Sequence, residues 1–185
     1  MSNLTRLRTQ ILITNTFIEL LKEKPFSAIT INHICEKAMI HRSTFYRYYV
    51  DKYELFSATI NTIAIEELFE QTKQGLNLER TFFEEVIDYI DVNRALFFNV
   101  TSKNNSRELY DKLIQLGGES LYENATQYND PLSRQIQNSD YPNVLCDFYC
   151  SGFFEIVKKW VNNEYPYSKE ELIHIVNNFL INEPK

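Results

Sequence analysis

Apolar residues recur at intervals of three and four along most of this chain, a period that belongs to helices packed by one face. Ile13, Phe17, Leu20 and Leu21 form the first such stripe, on a helix expected from about Arg6 to Lys24 and stopped by Pro25. Phe26 offers an aromatic to a small core. Thr30 is placed to cap a second helix, whose Ile31, Ile34, Cys35 and Ala38 share a face. Met39-Ile40-His41 breaks the period. A short third helix fits Arg42 to Tyr48, with Phe45 and Tyr49 turned inward. Asp51 is the expected cap of a long fourth helix bearing Leu55, Phe56, Ile60, Ile63, Ala64 and Leu68.

The pattern continues beyond a polar connection at 71–77. Helices are expected over 78–93, 94–100 and 107–122, with a polar loop at 101–106. Gly117-Gly118 weakens the last of these, as a kink or as a stop. Residues 124–142 are polar, hold Pro131 and Pro142, and are expected to be irregular. A strong helix follows over 143–163, with Leu145, Phe148, Tyr149, Phe153, Ile156, Val157 and Trp160. The last opens on the capping box Ser168-Lys-Glu-Glu171 and runs through Leu172, Ile175, Val176, Phe179 and Leu180. No segment alternates as a half-buried strand does, and only 4 Gly and 5 Pro occur. The fold class is all-α, with about nine helices.

No apolar run reaches membrane-spanning length, and the first residues lack the apolar stretch of a secretory signal. Three cysteines, Cys35, Cys146 and Cys150, make no disulfide framework, so a reducing, cytoplasmic setting is expected. The net charge of −6 argues at first against a nucleic-acid partner. Its distribution reverses that: residues 1–60 carry 8 Lys/Arg against 5 Asp/Glu, and residues 61–185 carry 11 against 20. Affinity for DNA depends on local cations that neutralise phosphates, and a basic end on an acidic body supplies them.

Helix, three-residue break, helix over 30–48 is the spacing of a helix-turn-helix, whose second helix enters the major groove. The second helix is crowded with donors: Arg42, Ser43, Thr44, Tyr46, Arg47 and Tyr48. Packing alone does not require two Arg, a Thr and several Tyr within eight residues. Thr30-Ile-Asn-His-Ile-Cys-Glu-Lys-Ala38, Arg42-Ser-Thr-Phe-Tyr-Arg-Tyr-Tyr49, Asp51-Lys52 and Leu55-Phe56 together resemble the DNA-binding domain of TetR/AcrR regulators. The likeness implies a helix-turn-helix domain over 1–55 and a helical effector-binding and dimerisation domain over 56–185. It implies double-stranded DNA as partner, with Thr30, Tyr46, Tyr49 and Lys52 at phosphates and Arg42, Ser43, Thr44 and Arg47 at base edges. His41 and Tyr48 lie alongside them. Family members often carry Gly in the turn, where this chain has Met39, and Ser or Asn at the start of the reading helix, where it has His41. A side chain at the turn demands either an unusual backbone or a shifted turn.

The C-terminal part resembles the same family's sensing domain. From Phe148 through Trp160 and into the Ser168 helix it is similar to a subgroup that includes regulators of dihydroxyacetone kinase operons. The likeness implies a dimeric repressor of a near-palindromic operator, released by a small apolar or aromatic effector. Phe97, Phe98, Tyr110, Phe148, Tyr149, Phe153 and Trp160 are the candidates to line the effector pocket. The alternative is an activator, or a helical interaction module that uses a protein partner. The two closing helices carry broad apolar faces suited to a four-helix bundle between two copies. No cofactor and no metal is expected: Cys146 and Cys150 read as buried small residues, and His33, His41 and His174 have no metal-site spacing. A Gly-rich phosphate loop, a nucleophile elbow and paired catalytic carboxylates are all missing from the sequence, so an enzyme is not expected.

Overall fold

The computed structural model describes residues 3–63, 81–101, 107–126 and 130–181. Among these it holds ten α-helices and no strand. Helix α1 (Asn3–Glu23) starts about a turn before the expected Arg6, and Ile13, Phe17, Leu20 and Leu21 are almost fully buried as expected. Pro25 leads into a 3₁₀ turn (Phe26–Ala28). Helix α2 (Ile31–Lys37), α3 (Arg42–Phe45) and α4 (Lys52–Ile63) complete the N-terminal unit. The 1 % exposed Phe26 is its hub, edge-on to Phe17, Tyr53 and Phe56. Asp51 caps α4 as expected, its Oδ1 accepting from the amides of Tyr53 and Glu54, each at 2.8 Å. The expected continuation of α4 to Leu68 and the connection at 71–77 lie outside the described residues.

The second unit comprises α5 (Phe82–Val92), α6 (Arg94–Thr101), α7 (Arg107–Ala125), α8 (Pro131–Gln137), α9 (Pro142–Val161) and α10 (Lys169–Ile181). Three expectations are corrected here. Thr81, expected inside a helix, is instead the cap of α5, its hydroxyl accepting from the Glu84 amide, and the expected start at 78–80 lies outside the described residues. The glycine pair does not end α7, which runs through it to Ala125. A Cβ on Gly117 would stand 2.4 Å from Phe154 Cε2, so this glycine lets α9 approach closely. The segment taken as irregular contains α8, capped by Asp130 with Pro131 in its first turn, a start signal present in the sequence and missed in its polar surroundings. The capping box of α10 forms as expected: the Glu171 amide donates to Ser168 Oγ at 3.1 Å, and the Ser168 amide to Glu171 Oε2 at 2.8 Å.

Helix α9 packs along α7, α10 against α5 and α8, and α6 against α1, with α4 lying on α7. The two units therefore meet along α1, α4, α6 and α7, and the division expected at residue 55 falls within α4. Asn99 on α6 reaches across the junction and donates to the carbonyls of Leu21 at 2.9 Å and Lys22 at 3.4 Å. No helix of the described residues is long and apolar enough to cross a membrane.

Candidate nucleic-acid interface

The interface is built on the joint between α2 and α3. Thr30 opens α2 with a reciprocal cap: its Oγ1 accepts from the His33 amide at 3.2 Å, and its own amide donates to His33 Nδ1 at 3.3 Å. The backbone N–H of Thr30 is thereby occupied, and the hydroxyl proton is what Thr30 has left to donate to a phosphate. At the other end of α2 the Ile40 amide donates to the Cys35 carbonyl at 2.9 Å and the Met39 amide to Glu36 at 3.2 Å. This is a Schellman motif, and its hinge residue must be left-handed. Met39 takes that conformation, with φ 53°, and its side chain is 92 % exposed. Of the two ways a non-glycine could fit the turn, the chain uses the strained backbone.

His41 precedes α3 in extended conformation and the Thr44 amide donates to its carbonyl at 2.9 Å. The regular helix is shorter than expected, ending at Phe45, with turns carrying the chain to Tyr48. Phe45, fully buried, and Tyr49, 6 % exposed, anchor this element against the core. That anchoring turns His41, Arg42, Ser43, Tyr46 and Arg47 outward together, with Thr44 half-buried between them. Arg42 Nη2 donates to Tyr46 Oη at 3.1 Å, and its guanidinium stands 5.7 Å from the Tyr46 ring. This hydrogen bond is the main cause that raises the pKa of Arg42 above the ordinary value. One donor-rich ridge results, with its first Arg already oriented.

Two expected phosphate contacts are placed differently. Tyr49 is a core residue, tilted against Phe45 at 5.9 Å between ring centroids. Lys52 is half-buried, and its ammonium donates to the carbonyls of Phe26 at 2.9 Å and Ile29 at 2.8 Å, 4.4 Å from the centroid of the Phe26 ring. Tyr48 is half-buried and packs against the core. Behind the ridge, Lys37 ties α2 to α1 through Glu23 at 2.6 Å and Glu19 at 3.4 Å.

The aromatic residues expected to line an effector pocket do not converge. Phe97 alone of the seven borders a small apolar cavity of about 50 Å³, with Ile60, Val86, Leu113, Gly117 and Phe154 among its other walls. Phe153 stacks on Phe83 at 4.3 Å in the core, and Trp160 is buried, donating to the Tyr167 carbonyl under the guanidinium of Arg94. Tyr110 bonds Glu155 at 3.2 Å, Tyr149 bonds Gln135 at 2.9 Å, and Phe98 and Phe148 face solvent. Helical spacing reports that a face is apolar, not whether it meets a cavity, a neighbour or water. Cys146 and Cys150 are buried as expected, and burial pushes the Cys146 thiol up to about 11.

Residues 13–59 match the model for bacterial regulatory proteins of the tetR family, and residues 80–182 match that for a transcriptional regulator C-terminal region. No protein of curated function matches the sequence. Among solved structures, the dihydroxyacetone kinase operon activator DhaS is similar at 18% identity and a TM-score of 0.60, over 94% of each chain. A TetR transcriptional regulator from Rhodococcus is similar at 15% identity and 0.66, over 96% of this chain and 98% of that one. A TetR-family regulator from Syntrophomonas wolfei is similar at 17% and 0.60, over 94% and 93%. At these identities the likeness is one of fold. The family models cover both units and the first holds the whole ridge: the chain belongs to the TetR family and is a DNA-binding transcriptional regulator.

Proposed function

We propose that the protein acts as a twofold dimer on a near-palindromic operator, each copy laying the 41–47 ridge in a major groove, and that it represses until a small apolar effector releases it. The observation that carries this is the shared outward orientation of His41, Arg42, Ser43, Tyr46 and Arg47 over the buried anchors Phe45 and Tyr49. Arg42 and Arg47 have the fork that pairs bidentately with guanine, and Thr44 a methyl for thymine. Dimerisation is supported by Val144 and Phe148, four apart on α9 and 63 % and 72 % exposed, and by Phe179 of α10, 74 % exposed. The apolar cavity beneath Ile60 is far smaller than the several hundred Å³ of a typical ligand pocket. An effector seated there parts α4 from α7, and α4 is continuous with the DNA-reading unit.

The test is fluorescence anisotropy against duplexes tiled across the promoters of the protein's own gene and its neighbours, at fixed salt with competitor DNA. One competitor-resistant near-palindrome is expected, with Arg47→Ala weakening it by about 1–3 kcal/mol. Equal binding by Arg47→Ala would remove that residue from base reading. A reporter gene behind the site then gives the sign of control.

A further inference from the structure

Lys52 occupies an unusual place for a basic residue beside a DNA-binding surface. The side chain is half-buried, and its ammonium, 4.4 Å from the centroid of the Phe26 ring and 5.9 Å from that of Tyr53, donates to two carbonyls. Those carbonyls belong to Phe26 and Ile29, the residues that lead into Thr30 and α2. Lys52 itself is the first residue of α4, where the chain leaves the helix-turn-helix. One ammonium thus joins the entry of the DNA-reading unit, at 26–29, to its exit, at 52.

We infer that Lys52 is a positioning residue: it is the clasp that closes the base of the 30–51 unit, and it supports DNA binding by holding α2 and α3 at a fixed angle to α4 rather than by touching phosphate. The likeness to the family implied a phosphate contact, and the geometry opposes it. Two of the three ammonium protons are already given to carbonyls at 2.8 and 2.9 Å. Exchanging them for a phosphate leaves two carbonyl oxygens beside the buried side chains of Phe26 and Ile29, each 1 % exposed, to find other donors. Hydrogen bonds from a charged donor are also the strong ones. Any displacement of α4 moves Lys52 and, through it, the backbone that supports the Thr30 cap.

This inference rests on the protein binding duplex DNA, which the wild type tests separately and first. Wild type and Lys52→Met are compared on one 30-base-pair duplex that the wild type has selected from random sequence, across a series of salt concentrations. A clasp predicts roughly tenfold weaker binding, the scale of losing a charged hydrogen bond, with the salt slope unchanged. Loss of a phosphate contact predicts a slope lower by about 0.9, and that result overturns the inference. In the free protein, Lys52→Met should speed amide exchange at Ala28–Ile34 while α5–α10 keep wild-type protection; uniform protection overturns it. Should Lys52→Met not fold, the ¹⁵Nζ resonance of Lys52 in the wild type decides. Contact with the Phe26 and Ile29 carbonyls retained in the duplex complex supports the clasp, and transfer to a phosphate refutes it.

Discussion

Met39 holds the left-handed hinge of the helix-turn-helix with a side chain that makes its backbone pay for the conformation, since a left-handed L-residue costs about 1–2 kcal/mol. Its side chain is 92 % exposed, so little packing offsets that strain. Glycine there relieves the strain but loses more chain entropy on folding, about 0.5–1 kcal/mol. Met39→Gly should therefore raise stability by about 0.5–1 kcal/mol in urea denaturation, and an unchanged midpoint would mean the strain is absorbed elsewhere. The turn was legible as a break because three residues fell out of period. Its conformation was not, since Met39 at the position where the family tends to carry Gly fitted two geometries equally. Lys52 shows the same limit. Sequence gives a charge and a neighbourhood, but the carbonyls that capture the charge come from residues 23 and 26 positions earlier.

At the level of helices, the periodicity located most of the elements and misjudged what lay between them. Gly117 and Gly118 weaken a helix in isolation, yet α7 continues because α9 packs along it. The two positions should respond oppositely to alanine. At Gly117 the new Cβ meets Phe154, held in the core against Phe153, so Gly117→Ala should cost about 1–3 kcal/mol from overpacking. At Gly118 its one tight contact is Asp147 Oδ1 at 3.0 Å, on an exposed side chain that can swing away, with α9 backbone at an ordinary 4.0 Å, so Gly118→Ala should gain up to about 1 kcal/mol of helix propensity. Thermal melts of both variants check this, and equal effects would contradict the packing account. The same helix pair carries a charge group: Glu155 accepts from Tyr110 and pairs with Lys158, and the Lys158 hydrogen bond is the main cause that holds its carboxyl below the ordinary 4.5. A depressed carboxyl stabilises the fold above its unfolded pKa and loses that contribution as pH falls through the folded value. The pair is partly exposed, so Glu155→Gln should cost no more than about 1 kcal/mol at pH 7. The difference from wild type should narrow as the pH of the melts falls below 4.5; one that stays constant there would not be electrostatic.

In the whole molecule, α9 turns Val144 and Phe148 to water beside the open Gly152. Phe148, expected at an effector, faces solvent, and in the proposed dimer it meets the second copy. Phe148→Glu should weaken self-association by about 2 kcal/mol or more, roughly thirtyfold, while leaving helix content intact. Sedimentation equilibrium with circular dichroism checks both halves; a dimer unaffected by the change would put the interface elsewhere. The dimer and the operator's symmetry follow from a likeness, because one chain's periodicity cannot say which apolar face meets a copy of itself. The Asn99 side chain adds a practical consequence for anyone recombining such regulators. The last turn of α1, in the reading head, is fastened by a residue of the C-terminal body. A hybrid spliced after residue 55 would set this head on a foreign body with nothing assured opposite Leu21 and Lys22. A head that keeps its grip in a new context has to be cut out by surface rather than by sequence, taking the 94–101 helix along or recreating its amide in the recipient.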